Sequence, residues 1–119
     1  MYARVWKLTI LTGKVEEFAV ASKAIVPILQ QQPGFRVLVI LRGGSGERRE
    51  ATVVSAWESL DDLRGGETSA YQQALVPILA CCEPRPLMRE EEVLISEFVS
   101  PENSDTTLDY RRPGTPQSR

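Results

Sequence analysis

The chain contains no histidine. That absence removes imidazole acid–base chemistry, Ser–His and Cys–His nucleophile pairs, histidine-ligated zinc and a proximal haem histidine. Cysteine is nearly as scarce. The two present, Cys81 and Cys82, are adjacent, so they form neither a disulfide framework nor the C-x-x-C spacing of redox and metal sites. There is no surplus of positive charge, since 14 Lys and Arg stand against 16 Asp and Glu for a net charge of −2. That balance is the reverse of a nucleic-acid footprint. No apolar run approaches the ~20 residues of a membrane span. Met1–Leu11 carries Arg4 and Lys7 where a signal peptide needs an unbroken apolar stretch. Gly43-Gly44-Ser45-Gly46 lies between two strand patterns, whereas a dinucleotide fingerprint must lead from a strand into a helix. The expectation is a reduced, cytoplasmic, soluble protein with no cofactor, no metal, no nucleic-acid partner and no membrane partner.

What remains is an ordinary globular composition, 42% hydrophobic and 25% charged over 119 residues. One domain is expected at ~100–200 residues per domain. Residues 2–11 read as a strand rich in Val, Ile, Tyr, Trp and Thr. Val15, Phe18, Ala21 or Ser22, Ile25 and Leu29 then recur at helical spacing, with Lys14, Glu16, Glu17, Lys23 and Gln30 on the solvated side. Pro27 lies inside this helix, removes a backbone donor and is expected to kink it. Residues 35–42 form a second strand, residues 48–57 a third, and Ser59 caps a second helix that Gly65-Gly66 interrupts. The helical pattern resumes with Tyr71, Leu75 and Ile78 on one face, and residues 92–99 are read as the fourth strand. Glu90-Glu91-Glu92 is read as a solvated turn before it.

The order β-α-β-β-α-β carries a faint internal repeat, AIVPIL at 24–29 and ALVPIL at 74–79. Two βαβ halves indicate an α+β, ferredoxin-like fold: an antiparallel four-stranded sheet with two helices on one face. The domain is expected over 1–99, with a flexible polar tail at 100–119. Val37, Val39 and Leu41 point to one side of the second strand, and Leu38 and Ile40 to the other. Val53/Val54 and Leu94/Ile95 repeat this two-sided pattern in the third and fourth strands. A strand apolar on both faces must be covered on both, and a second copy on a twofold axis is the simplest cover. A homodimer through the open sheet face is therefore expected.

MYARVW followed by Thr12-Gly13-Lys14, then Gln32-Pro33-Gly34-Phe35, Ala56-Trp57-Glu58-Ser59 and Ser69-Ala70-Tyr71, resembles the antibiotic biosynthesis monooxygenase superfamily over about residues 1–99. The resemblance implies a dimeric α+β barrel. It also implies either of two activities. One is a cofactor-independent monooxygenase acting on a small hydrophobic aromatic compound. The other is a non-catalytic dimeric small-ligand-binding or assembly module on the same scaffold. The family's catalytic sets do not carry over. Val53 stands where the cofactor-free oxygenases place an asparagine and Leu63 where they place a tyrosine, and no histidine serves the haem-cleaving chemistry. The only asparagine is Asn103.

A hydrophobic pocket lined by Trp6, Phe18, Trp57 and Tyr71 is expected, since aromatic side chains bring area and, in Trp and Tyr, a polar handle. Trp57 is weighed equally as a core residue locking the strand-to-helix junction. Arg4 and Arg64 are candidates for stabilising an enolate or phenolate, against the plain alternative of solvated arginines. No residue is assigned as catalytic. The β-α-β-β-α-β order is shared with RNA-recognition and small-ligand regulatory domains. Residues 51–57 lack the aromatic platform of the former, and fold alone leaves the latter open.

Overall fold

A computed structural model describes residues 1–97. The order is β1 (Tyr2–Thr9), α1 (Val15–Gln30), β2 (Phe35–Gly43), β3 (Glu50–Trp57), α2 (Leu60–Gly65), α3 (Ser69–Ala80) and β4 (Leu87–Glu92). The strands form one antiparallel sheet in the order β2-β3-β1-β4. Consecutive halves thus interleave, which makes the fold α+β and ferredoxin-like, with the helices on one face.

Local chemistry accounts for most boundaries. Ser59 Oγ accepts from the Asp62 amide at 3.0 Å, and Asp61 and Asp62 place negative charge on the first turn of α2. Thr68 Oγ1 accepts from the Tyr71 amide at 3.2 Å and opens α3 as a separate helix. The Gly65-Gly66 interruption is therefore a full break between two helices. α1 continues through Pro27, which is exposed. Gly34 holds a φ of +79° at the entrance to β2, and the Cβ of Asp62 lies 2.6 Å from where its own Cβ would be. Both facts demand glycine.

The core is a strip between sheet and helices that includes Ile10, Phe18, Ile25, Leu29, Trp57, Leu63, Tyr71 and Ile78. On β1 the residues Arg4, Trp6 and Leu8 share the helix-facing side; in register with them lie Ser55, Val53 and Ala51 of β3. The helix-facing side of β2 presents Leu38 and Ile40, which pair with Ser55 and Val53. The opposite side of the sheet carries Val5, Val37, Val39, Leu41, Val54 and Leu87. No other element among the described residues covers it, and Leu41 is 56% and Leu87 67% exposed.

The fourth strand departs from the sequence reading. It occupies Leu87–Glu92 rather than 92–99, and Leu94 and Ile95 lie beyond it, 87% and 82% exposed. The reason is geometric. The chain is already pinned beside the end of β1 by the Glu83 amide donating to Thr9 O at 2.8 Å, so pairing begins at Leu87↔Lys7. Five residues later Glu92 is level with Tyr2, and β1 is used up. The Glu90-Glu91-Glu92 run, expected as a turn, is part of this edge strand; charge there discourages edge-to-edge association. The expected tail at 100–119 lies outside the described residues.

Candidate functional site

The two copies of the repeated hexapeptide build one chamber. Ile25 and Leu29 of α1, and their counterparts Leu75 and Leu79 of α3, form its roof together with Ile78. The strands supply the floor through Trp6, Leu38, Val53 and Ser55, and Tyr71 closes the side under the start of α3. The inner chamber is narrow, about 40 Å3, enough for a few waters or the tip of a ligand. Ser22, Leu38 and Ile40 also line a second, wider cavity of about 360 Å3 between α1 and the end of β2. That volume is within the ~300–1,000 Å3 range of ligand pockets.

Two serine hydroxyls interrupt the apolar lining, beside the phenol of Tyr71. Ser22 is 5% exposed, and its Oγ has no hydrogen-bond partner among the described residues. A buried hydroxyl without a partner costs about 1–3 kcal/mol, a cost that a water or a ligand oxygen in the chamber would offset. Ser55 Oγ accepts from the Trp57 indole N–H at 3.1 Å. That bond fixes the serine rotamer and leaves the hydroxyl proton free to donate.

The residues singled out in the sequence divide into three groups. Trp6 and Tyr71 line the inner chamber, and Phe18 lines the wider cavity. Trp57 lines neither; it is 1% exposed, and Phe35 meets it edge-on at 5.3 Å. It acts on the chamber only through Ser55. Arg4 and Arg64 line neither cavity. Arg4 is 2% exposed and ion-paired to Glu67 at 3.0 Å and Glu90 at 3.5 Å, with its buried Nε unpartnered among the described residues. Arg64 is exposed and reaches Glu90 at 2.9 Å. Together these four charges tie β1, β4 and the α2–α3 connection. The Arg64 guanidinium holds the Glu90 carboxyl below its ordinary value, and Arg4 adds to this.

Ser22 and Ser55 were not singled out from the sequence. The available signal was a serine at a helical-stripe position otherwise filled by Phe18, Ile25 and Leu29. Val53 lines the chamber and Leu63 is fully buried, so the two positions that differ from the oxygenase pattern carry only hydrocarbon here. Cys82 is buried, and burial pushes its thiol up to about 11, with Cys81 beside it adding to the rise. It remains a protonated thiol at neutral pH.

Among the described residues, no group of three or more His, Cys, Asp or Glu side chains could hold a metal ion. No helix among them is long and apolar enough to cross a membrane.

The family model described as antibiotic biosynthesis monooxygenase matches residues 1–77. The chain belongs to the antibiotic biosynthesis monooxygenase family. Comparison with curated proteins gives no match. Among solved structures the chain resembles SnoaB, a cofactor-independent oxygenase from Streptomyces nogalater. The identity is 16%, over 80% of this chain and 94% of that one, with a TM-score of 0.69. It also resembles an antibiotic biosynthesis monooxygenase-type protein from Nitrosomonas europaea, at 18% identity over 80% and 100% of the two chains and a TM-score of 0.68. A third likeness is MhuD with two manganese protoporphyrin IX molecules bound per active site, at 19% identity over 82% and 99% of the chains and a TM-score of 0.66. At these identities the likeness is one of fold. Neither cavity presents a histidine, cysteine or methionine as an axial ligand for a porphyrin's iron.

Proposed function

We propose that this antibiotic biosynthesis monooxygenase family member binds a small hydrophobic aromatic compound between its sheet and its helices. The body would occupy the wider cavity, and a polar tip would reach the inner chamber to meet Ser22 and Ser55. The observation that carries the reading is the unpartnered, buried Ser22 hydroxyl on the wall shared by the two cavities. A ligand carbonyl or hydroxyl there would satisfy a group the fold leaves unpaired. Equilibrium binding of 2-naphthol tests this, with Ile25→Trp as the variant that fills the chamber. Saturable binding that Ile25→Trp abolishes is expected; equal binding by both proteins would overturn it.

The family match and the fold shared with SnoaB favour a second reading, cofactor-independent monooxygenation in the same cavity. In such a reaction the substrate supplies the electrons. An activated ring CH2 becomes a carbonyl with one atom of O2, and the other leaves as water with the two hydrogens. The polar side chains available in the inner chamber are Ser22, Ser55 and Tyr71. Oxygen uptake with anthrones and hydroquinones, repeated with a chelator and with Tyr71→Phe, separates the readings. Turnover that survives the chelator supports oxygenation, and its absence across the panel leaves binding as the function.

The uncovered sheet face supports a homodimer in which a second copy buries Val5, Val39, Leu41 and Val54. Sedimentation of the full chain tests this, since a stable monomer at all concentrations would contradict it.

A further inference from the structure

The wider cavity has an electrostatic character opposite to that of the whole chain. The protein carries more acidic than basic residues, yet the charged side chains lining the two cavities are Lys23 and Arg42, with no carboxylate among them. Periodicity put Lys23 on the solvated side of α1. It is exposed there, one residue after Ser22, at the lip of the cavity. Arg42 stands across from it at the end of β2, on the helix-facing side with Leu38 and Ile40. Its Nε donates to Arg48 O at 2.7 Å and a terminal nitrogen to Glu47 O at 3.3 Å. These are carbonyl contacts that steady the guanidinium without neutralising it. Neither cation forms an ion pair among the described residues.

We infer that the ligand is an amphipathic anion, an aromatic body bearing one carboxylate held at the cavity lip between Lys23 and Arg42. This rests on the cavity reading above and adds the chemical class. A cleft with low-dielectric walls and one sign of charge concentrates the opposite sign, and a guanidinium fork suits a carboxylate. The apolar walls contributed by Phe18, Leu38 and Ile40 take the ring, leaving the ligand's far edge toward Ser22.

The test is a comparison of 2-naphthoate with 2-naphthalenemethanol, which share a ring system and differ in charge. Binding is measured by calorimetry at low and high salt. The carboxylate is expected to bind about tenfold more tightly than the alcohol at low salt, with the advantage shrinking as salt screens the pair. Lys23→Gln should weaken the carboxylate about three- to fivefold, and Lys23→Gln with Arg42→Gln about tenfold, while the alcohol changes less than about twofold. Lys23 is exposed and unpaired, so the single variant retains the fold even if loss of the Arg42 carbonyl contacts loosens the β2–β3 loop. Equal affinity for acid and alcohol, or no change in Lys23→Gln, would overturn the anion assignment and leave the cavity reading standing. Failure of both compounds to bind would overturn the two together.

Discussion

Gly65 and Gly66 are neighbours in sequence, and the structure assigns them opposite responses to alanine. A Cβ on Gly66 would lie 2.9 Å from Cζ3 of Trp57 and closer still to Cη2. The indole cannot yield easily, because Phe35 packs its edge at 5.3 Å and its N–H is bonded to Ser55. Overpacking of this kind costs about 1–3 kcal/mol. The φ of −74° suits alanine, so the smaller freedom of the unfolded chain returns about 0.4–1 kcal/mol. The net expectation is a loss of about 0.5–2 kcal/mol, a fall in Tm of several degrees for a domain of this size. Among the described residues, Gly65 has nothing within 4 Å of its would-be Cβ. Gly65→Ala should therefore be neutral or stabilising by up to about 1 kcal/mol. Urea unfolding followed by tryptophan fluorescence measures both. Gly66→Ala as stable as the parent, or the two variants equally destabilised, would refute the packing of Trp57 against this break.

Further outcomes concern the buried polar groups. Ser22→Ala should leave stability unchanged or raise it by up to about 1 kcal/mol, since an unsatisfied hydroxyl is removed, while weakening 2-naphthol binding; a clear loss of stability would mean that the hydroxyl is satisfied in solution. Glu67→Gln combined with Glu90→Gln removes both carboxylates from the buried Arg4 guanidinium and should lower stability in urea unfolding more than either change alone. The Glu90 carboxyl is held below its ordinary 4.5 in the fold, so its stabilisation is complete above that value and is lost as pH falls through the folded value. The stability gap between the parent and Glu90→Gln should accordingly close in acid, and a gap independent of pH would contradict the pairing. Cys82 is shifted the other way, from 9.0 to about 11, so its contribution is complete below 9.0 and is lost as pH rises through about 11. At about pH 8 the native protein should react with Ellman's reagent far more slowly than the urea-unfolded chain.

The element order was legible because α1 and α3 carry apolar stripes at helical spacing and Ser59 caps α2. The sequence reading misplaced β4 because local hydrophobicity favours Val93–Ile95, whereas strand pairing depends on where the chain returns to β1. Leu87–Glu92 is edge strand by position, despite a charged composition that no periodicity marks as strand. The same limit applies to the site. The hexapeptide repeat was visible, but only the sheet brings Ile25 and Leu75 over one chamber. Arg4 shows the converse: an arginine in an apolar strand suggested an anion-binding role, and the fold answers it with Glu67 and Glu90 from two distant segments. Trp57 was legible as a junction residue, and its bond to Ser55 depends on the shared face that strand parity gives residues two apart.

The central claim is that a small aromatic molecule enters between sheet and helices. Amide chemical-shift changes in the isotope-labelled full chain on titration with 2-naphthol test it most directly. The account predicts saturable changes concentrated at Ser22, Ile25, Ser55, Tyr71 and Leu75. Changes confined to Val37, Val39 and Leu41 on the opposite face of the sheet, or none at saturating ligand, would contradict it.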